Sequence, residues 1–277
     1  MKRPALPPRL DPREVENLPD APGVYLFHGD NDALLYIGKS IHLRTRVLSH
    51  FADRGSRKAL KIAQQVRRIE TIRTAADLGA CLLEARLIKE RQPLYNRRLR
   101  RHRQLVFYIL ETDREGFSTL RLALSAACPE HPSDRVVGPF KTKRSAEAKL
   151  REWNHEHGLC DRLTGLEKKG SGPCFAYQLK RCRGACCGRE SASAYNRKLR
   201  DILAHWSFKA WPYQGPRIIE DAGKDMTDYH LVDQWCHLDT QSAPELLSVP
   251  ANRSRRLDYD TYKILTRALS ATGGNCP

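Results

Sequence analysis

The chain has 277 residues, 40% of them hydrophobic, and its 48 Lys plus Arg outweigh 32 Asp plus Glu to give a formal charge of +16. That length accommodates two small domains or one large one, and that charge favours a polyanionic partner over a membrane. No apolar run reaches spanning length and no apolar segment follows the basic start Met1-Lys2-Arg3-Pro4, so the expected setting is cytoplasmic.

Residues 1 to about 18 are rich in Pro and charge and are expected to be flexible. Two short apolar runs follow, Val24 to Phe27 and Leu34 to Ile37, around His28-Gly29-Asp30-Asn31-Asp32. Strand, Gly-containing polar loop and strand make a hairpin signal. Ser40 is placed to cap a helix starting near Ile41. The free N–H groups of such a helix start, with Lys39 beside them, suit a phosphate. In that helix Ile41, Leu43, Val47, Leu48 and Phe51 form an apolar stripe, while His42, Arg46 and His50 fall in a row on the other side. The row is a phosphate-contact candidate, and its plain alternative is a solvated face. The basic stretch from Arg54 to Lys61 is expected to face solvent or nucleic acid, and the alternation from Ile69 to Thr74 predicts a third strand.

A second helix is predicted from about Ala75 to Arg91, with Thr74 as its cap and Gln92-Pro93 as its end. Leu78, Cys81, Leu82, Ala85 and Ile88 share one face, and Glu84 sits at its edge. The residues three and four positions from Glu84 are Ala80, Cys81, Leu87 and Ile88, so no neighbour on the helix pairs its charge. A carboxylate there pays for desolvation unless a cation meets it. Lys39 or Arg46 from another element would serve. A divalent ion is the sharper reading, since Mg²⁺ takes one or two carboxylates plus water and substrate phosphate. Pro93-Leu94-Tyr95-Asn96 reads by itself as a turn, and residues 97–103, RRLRRHR, as a solvated linker or a DNA-backbone track.

Gly23-Val24-Tyr25 and Tyr36-Ile37-Gly38, with Lys39, Arg46, Glu84 and Pro93-x-Tyr95-Asn96 at the matching offsets, resemble the GIY-YIG nucleases. The resemblance implies a three-stranded antiparallel sheet flanked by helices. It makes Glu84 the ligand of Mg²⁺ or Mn²⁺ and Asn96 the active-site Asn. Tyr36 becomes the proton acceptor for the attacking water, and Arg46 the cation facing the transition state. Tyr25, His50 and Asn96 would orient water and phosphate. Lys39, Arg46, Arg97, Arg98, Arg100 and Arg101 would contact DNA.

Gln104 to Leu110, Ser118 to Leu124 and Val136 to Phe140 read as strands of a second unit, and Ser145 to His157 as a helix. The chain carries nine cysteines, many for a cytosolic protein, and some are expected to hold metal. Cys160, Cys174, Cys182 and Cys186, with Cys187 adjacent, suggest a four-thiolate site for zinc or an iron–sulfur cluster. Spacing does not choose between the two. Cys81, Cys128, Cys236 and Cys276 are read as structural. Tyr195 to Phe208 and Tyr262 to Ser270 are predicted helices, and Trp206, Trp211 and Trp235 either pack a small core or stack on bases.

The cysteine segment is similar to the one after the nuclease domain in UvrC-type excinucleases, where it is associated with a [4Fe–4S] cluster. Over residues 18 to about 190 the match is closest to the short Cho-type branch of that family. It implies a single incision on the 3′ side of a lesion in damaged double-stranded DNA, with UvrB as partner and UvrA upstream. His50 departs from the pattern, since many UvrC proteins have Tyr there. The expected architecture is α+β: a GIY-YIG domain over 18–100, a cysteine-cluster domain over 101–190 and a helical region over 191–277. Two other readings stay open, a GIY-YIG endonuclease outside repair and a non-catalytic, redox-responsive DNA-binding protein.

Overall fold

The computed structural model describes residues 6–53, 55–96, 105–125, 135–168, 170–249 and 256–271. The chain folds as two compact units. The first holds residues 1–102, 213–255 and 260–277, and the second holds 103–212 and 256–259.

The first unit begins with a short helix, α1 (Pro12–Glu16), whose cap Asp11 accepts the Arg13 N–H. The expected flexible start is therefore corrected from residue 6 onward. Leu10, Val15 and Leu18 are buried, and Glu14 accepts the Ile69 N–H at 2.8 Å. Three strands follow, β1 (Gly23–His28), β2 (Leu34–Ser40) and β3 (Arg68–Arg73), in the antiparallel order β2-β1-β3. Helices α2 (Leu43–Ala52) and α3 (Arg57–Gln65) lie between β2 and β3 in sequence, and α4 (Asp77–Arg91) comes after. One side of the sheet packs Tyr25, Phe27 and Leu35 with Leu43, Val47 and Phe51 of α2. The other packs Val24, Leu26 and Ile37 with Leu87 and Ile88 of α4. This side-by-side burial follows from the period-2 pleat meeting apolar helix stripes on both faces.

Helix α2 starts later than expected. Ser40 accepts the His42 N–H at 3.0 Å and closes a turn, so Ile41 is left 51% exposed and the helix begins at Leu43. Thr74 likewise donates to the Ala76 carbonyl rather than capping α4.

The second unit contains the antiparallel sheet β5-β4-β6, built from β4 (Leu105–Thr112), β5 (Ser118–Ser125) and β6 (Val136–Phe140). Helices α5 (Lys143–His157), α6 (Phe175–Gln178) and α7 (Ala192–Ala204) complete it. Its core joins Val106 and Tyr108 of β4 to Leu150 and Trp153 of α5 and to Tyr195, Leu199 and Leu203 of α7.

The region expected to be helical over 191–277 is corrected in its middle. Residues 217–241 form a second antiparallel meander of the first unit, β7 (Arg217–Ala222), β8 (Thr227–Asp233) and β9 (Cys236–Gln241), followed by α8 (Tyr259–Ala271). Trp235 and Tyr262 join sheet to helix, ring centroids 5.4 Å apart. Asp228, His230 and Asp233 are buried in β8, and this polar interior hid the strand from a hydropathy reading.

Candidate functional site

Two glycines shape the hairpin. A Cβ on Gly23 would stand 2.2 Å from the Ile72 carbonyl oxygen, so only glycine lets β1 lie this close to β3. Gly38 faces Tyr25 across the ladder, and a Cβ there would stand 2.5 Å from the Tyr25 phenol. The half-motifs are thus a strand pair cut to admit one buried tyrosine.

Tyr25 is 1% exposed, and its ring centroid lies 6.1 Å from that of Tyr36. Burial, first, then the neighbouring Tyr36, raises the Tyr25 phenol, and the Arg46 guanidinium beside it acts the other way. Tyr36 is raised by burial and by the Glu84 charge, against Arg46 and the Tyr25 hydroxyl. Glu84 itself is pushed up by burial, opposed by the Lys39 ammonium, the Lys39 backbone N–H and Arg46. The acid of α4, both hairpin tyrosines, Lys39 and Arg46 therefore lie within electrostatic reach of one another. Among the described residues no cation forms an ion pair with Glu84, so the salt-bridge alternative is not realised. The Lys39 ammonium is instead 2.6 Å from Asp77, one of the residues that sequence reasoning missed. A half-buried carboxylate of this kind fits a hard divalent cation, whose charge offsets the desolvation.

His50 stands beside Tyr36, ring centroids 5.4 Å apart, and its Nδ1 is buried with no hydrogen-bond partner among the described residues. Burial first, then Arg46 and Lys58, push its pKa down to about 4. Lys58 also lies 4.3 Å from the Tyr36 ring centroid. The basic stretch around α3 thus delivers a cation to the site, a residue that its bare charge did not single out.

Asn96 is 8% exposed and both ends of its amide are engaged. Oδ1 accepts the Ile37 N–H and Nδ2 donates to the Ile37 carbonyl, both at 2.9 Å. It grips the strand between Tyr36 and Gly38. His42 lies at the start of α2, 63% exposed in its side chain. Arg97, Arg98, Arg100 and Arg101 lie outside the described residues.

Helix α4 is held from a distance. Asp228 accepts the Ala75 N–H at 2.7 Å and Asp221 accepts the Gly79 N–H at 2.8 Å. Two carboxylates of the C-terminal meander thereby satisfy N–H groups at the helix start and complement its dipole. His230 Nε2 approaches Asp221 at 3.6 Å. No spacing of residues along the chain announces this strap.

In the second unit the Cys160, Cys174 and Cys182 sulfurs lie within 4.8 Å of one another, all buried. The Cys174 N–H donates to Cys186 Sγ and the Gly184 N–H to Cys182 Sγ, each at 3.3 Å. Backbone donors aimed at sulfur stabilise thiolates, and four converging soft donors fit zinc or an iron–sulfur cluster. Cys187 donates to the Gly184 carbonyl. Cys81 is half-buried next to Asp77, and Cys236 is buried in the C-terminal meander. Cys128 and Cys276 lie outside the described residues.

Three family models match consecutive parts of the chain. These are the UvrC-like GIY-YIG domain over 21–97, the UvrC/Cho excinuclease middle domain over 107–205 and the excinuclease Cho C-terminal domain over 217–276. Excinuclease Cho of Escherichia coli strain K12 is 41% identical over 92% of this chain and 84% of its own length. The Salmonella typhimurium protein of the same name is 40% identical over 92% and 85%. UvrABC system protein C of Psychrobacter cryohalolentis is 33% identical over 68% of this chain and only 30% of its own. A solved structure, the GIY-YIG N-terminal endonuclease domain of UvrC from Thermotoga maritima bound to magnesium, is 33% identical. It covers 30% of this chain and 92% of that one, with a TM-score of 0.28.

Proposed function

From the premise that the chain belongs to the Cho excinuclease family, as a nuclease with a GIY-YIG domain, we propose that it incises the damaged strand of duplex DNA on the 3′ side of a lesion, in a complex with UvrB assembled after UvrA. The observation that carries the catalytic part is the cluster itself: Glu84, half-buried and without an ionic partner among the described residues, beside Tyr25, Tyr36, Lys39 and Arg46.

Glu84 would hold Mg²⁺ or Mn²⁺, which supplies Lewis-acid stabilisation of the phosphate and of the leaving 3′-oxygen. This chain's own residues do the rest. Tyr36 accepts the proton of the attacking water. Its phenol is held up in part by the Glu84 charge, so that upward push is gone once the charge is matched. Arg46, between Tyr25 and the acid, faces the negative charge that builds on the phosphorus oxygens. Lys39 leaves Asp77 for the scissile-strand phosphate. Tyr25 and neutral His50 orient water and phosphate. Asn96 acts through Ile37, keeping Tyr36 in place. Arg97, Arg98, Arg100 and Arg101 contact the DNA backbone. Cys160, Cys174, Cys182 and Cys186 would hold a [4Fe–4S] cluster, with zinc as the alternative occupant of the same thiolates.

The test is incision of a lesion-bearing duplex with UvrA and UvrB present, with and without Mg²⁺. Glu84→Gln should lower the rate about a thousandfold or more, the several kcal/mol that metal charge stabilisation supplies, while DNA affinity holds. Retained cleavage removes Glu84 from the reaction. Incision of undamaged DNA without UvrB would instead place the enzyme outside repair.

A further inference from the structure

Of the four tryptophans three are buried: Trp153 and Trp235 at 3% exposure and Trp211 at 9%. Trp206, just past α7, is 40% exposed. It is nevertheless held rigidly. Its carbonyl accepts the Gly138 N–H at 2.9 Å, its ring lies parallel to Phe140 within 8°, and the edge contact with Trp153 has centroids 5.4 Å apart. A fixed indole left in water is a stacking platform in search of a π-face.

The platform forms part of a groove of about 750 Å³ between α5 and α7, within the second unit. Lys149, Arg183, Arg197 and Lys198 line it, against the acids Glu156 and Asp201. Lys198 is spent on Glu190, at 2.8 Å. Arg183 and Arg197 are exposed and have no carboxylate partner among the described residues. Like that of Lys198, the Lys149 ammonium is ion-paired, here with Glu152, and it lies over the Trp206 ring, 4.9 Å from a ring centroid. A base arriving on the indole would take the place of that ammonium, which stays with Glu152, and leave the phosphates to the two arginines.

We infer that this groove is a single-strand DNA site, separate from the incision site, in which an unpaired base stacks on Trp206 and its flanking phosphates meet Arg183 and Arg197. An acidic peptide would satisfy the arginines but would leave the indole without a partner. The inference rests on DNA being the substrate, as proposed above, and it assigns a role to the one tryptophan that stands exposed.

The experiment uses the full chain with Glu84→Gln as background, so that no cutting intrudes, and a fluorescein-labelled oligothymidylate as probe. Binding should quench indole fluorescence in the parent. Trp206→Phe, which keeps a stacking ring, should abolish most of that quench while holding affinity within a few-fold. Trp206→Ala should weaken single-strand binding roughly tenfold and duplex binding less. Arg183→Ala with Arg197→Ala, both on the surface and harmless to the core, should flatten the salt slope by about 1.4, the loss of two phosphate contacts. A matched pair of charge removals outside the groove, Arg114→Ala with Lys168→Ala, should leave the slope within a few tenths. Equal slopes for both pairs, or an unchanged quench in Trp206→Phe, overturn the groove while DNA binding stands. A parent that binds no DNA overturns both the groove and the nuclease reading.

Discussion

His50 is a neutral base pressed between a tyrosine and two cations. Its pKa sits near 4, below the ordinary 6.5, because burial and the charges of Arg46 and Lys58 oppose protonation. Above pH 6.5 the residue is neutral folded or unfolded and adds nothing to the pH dependence. As the pH falls from 6.5 towards 4, the unfolded chain takes up a proton that the folded site refuses, so stability declines across that window. His50→Gln should remove this part of the acid loss, read as a smaller shift of the urea midpoint between pH 7 and pH 4.5; an unchanged shift would show that other groups cause it. At this scale Gly23, Tyr25, Tyr36 and Gly38 could be picked out through the resemblance of the two half-motifs, and Glu84 through the lack of a partner for its charge on its own helix. Asp77 and Lys58 were not, since a surface carboxylate and one lysine in a basic run look like any others until the fold brings them to Lys39 and Tyr36.

Helix α4 illustrates what an element owes to its surroundings. Its apolar residues and its end at Gln92-Pro93 could be read from the sequence, and they set where Glu84 points. The start could not, because its partners come from strands 142 and 153 residues away. Those strands were themselves obscured: β8 turns Asp228 and His230 inward, at 8% and 0% exposure, so its alternation is chemical rather than hydrophobic. Asp228→Ala should cost about 1–2 kcal/mol of stability, the range for losing a helix-start acceptor, and should speed amide exchange at Ala75. Asp228→Asn, which keeps a carbonyl oxygen in place, should recover part of the loss. No change in either would mean that the helix start finds water equally good.

At the scale of the molecule, the sequence divides into three stretches while the chain folds as two units, because the C-terminal meander belongs with the nuclease sheet. Domain boundaries drawn along a sequence cannot show such a return. The thiol cluster was legible as a set, since four cysteines around a short basic segment rarely serve four purposes, but its occupant was not. Anaerobically purified protein should contain about four iron and four sulfide per chain, and Cys182→Ser should lose them along with the stability of the second unit. One zinc and no sulfide would assign the thiols to zinc instead.

The strap on α4 also orders events in time. Asp221 and Asp228 leave the ribosome 142 and 153 residues after the amides they hold. At about 5–20 residues per second that is a delay of roughly 7 to 30 s. For that interval the nascent chain carries its acid on a helix whose first turn is unfastened, and the tool is complete only when its last part has been made.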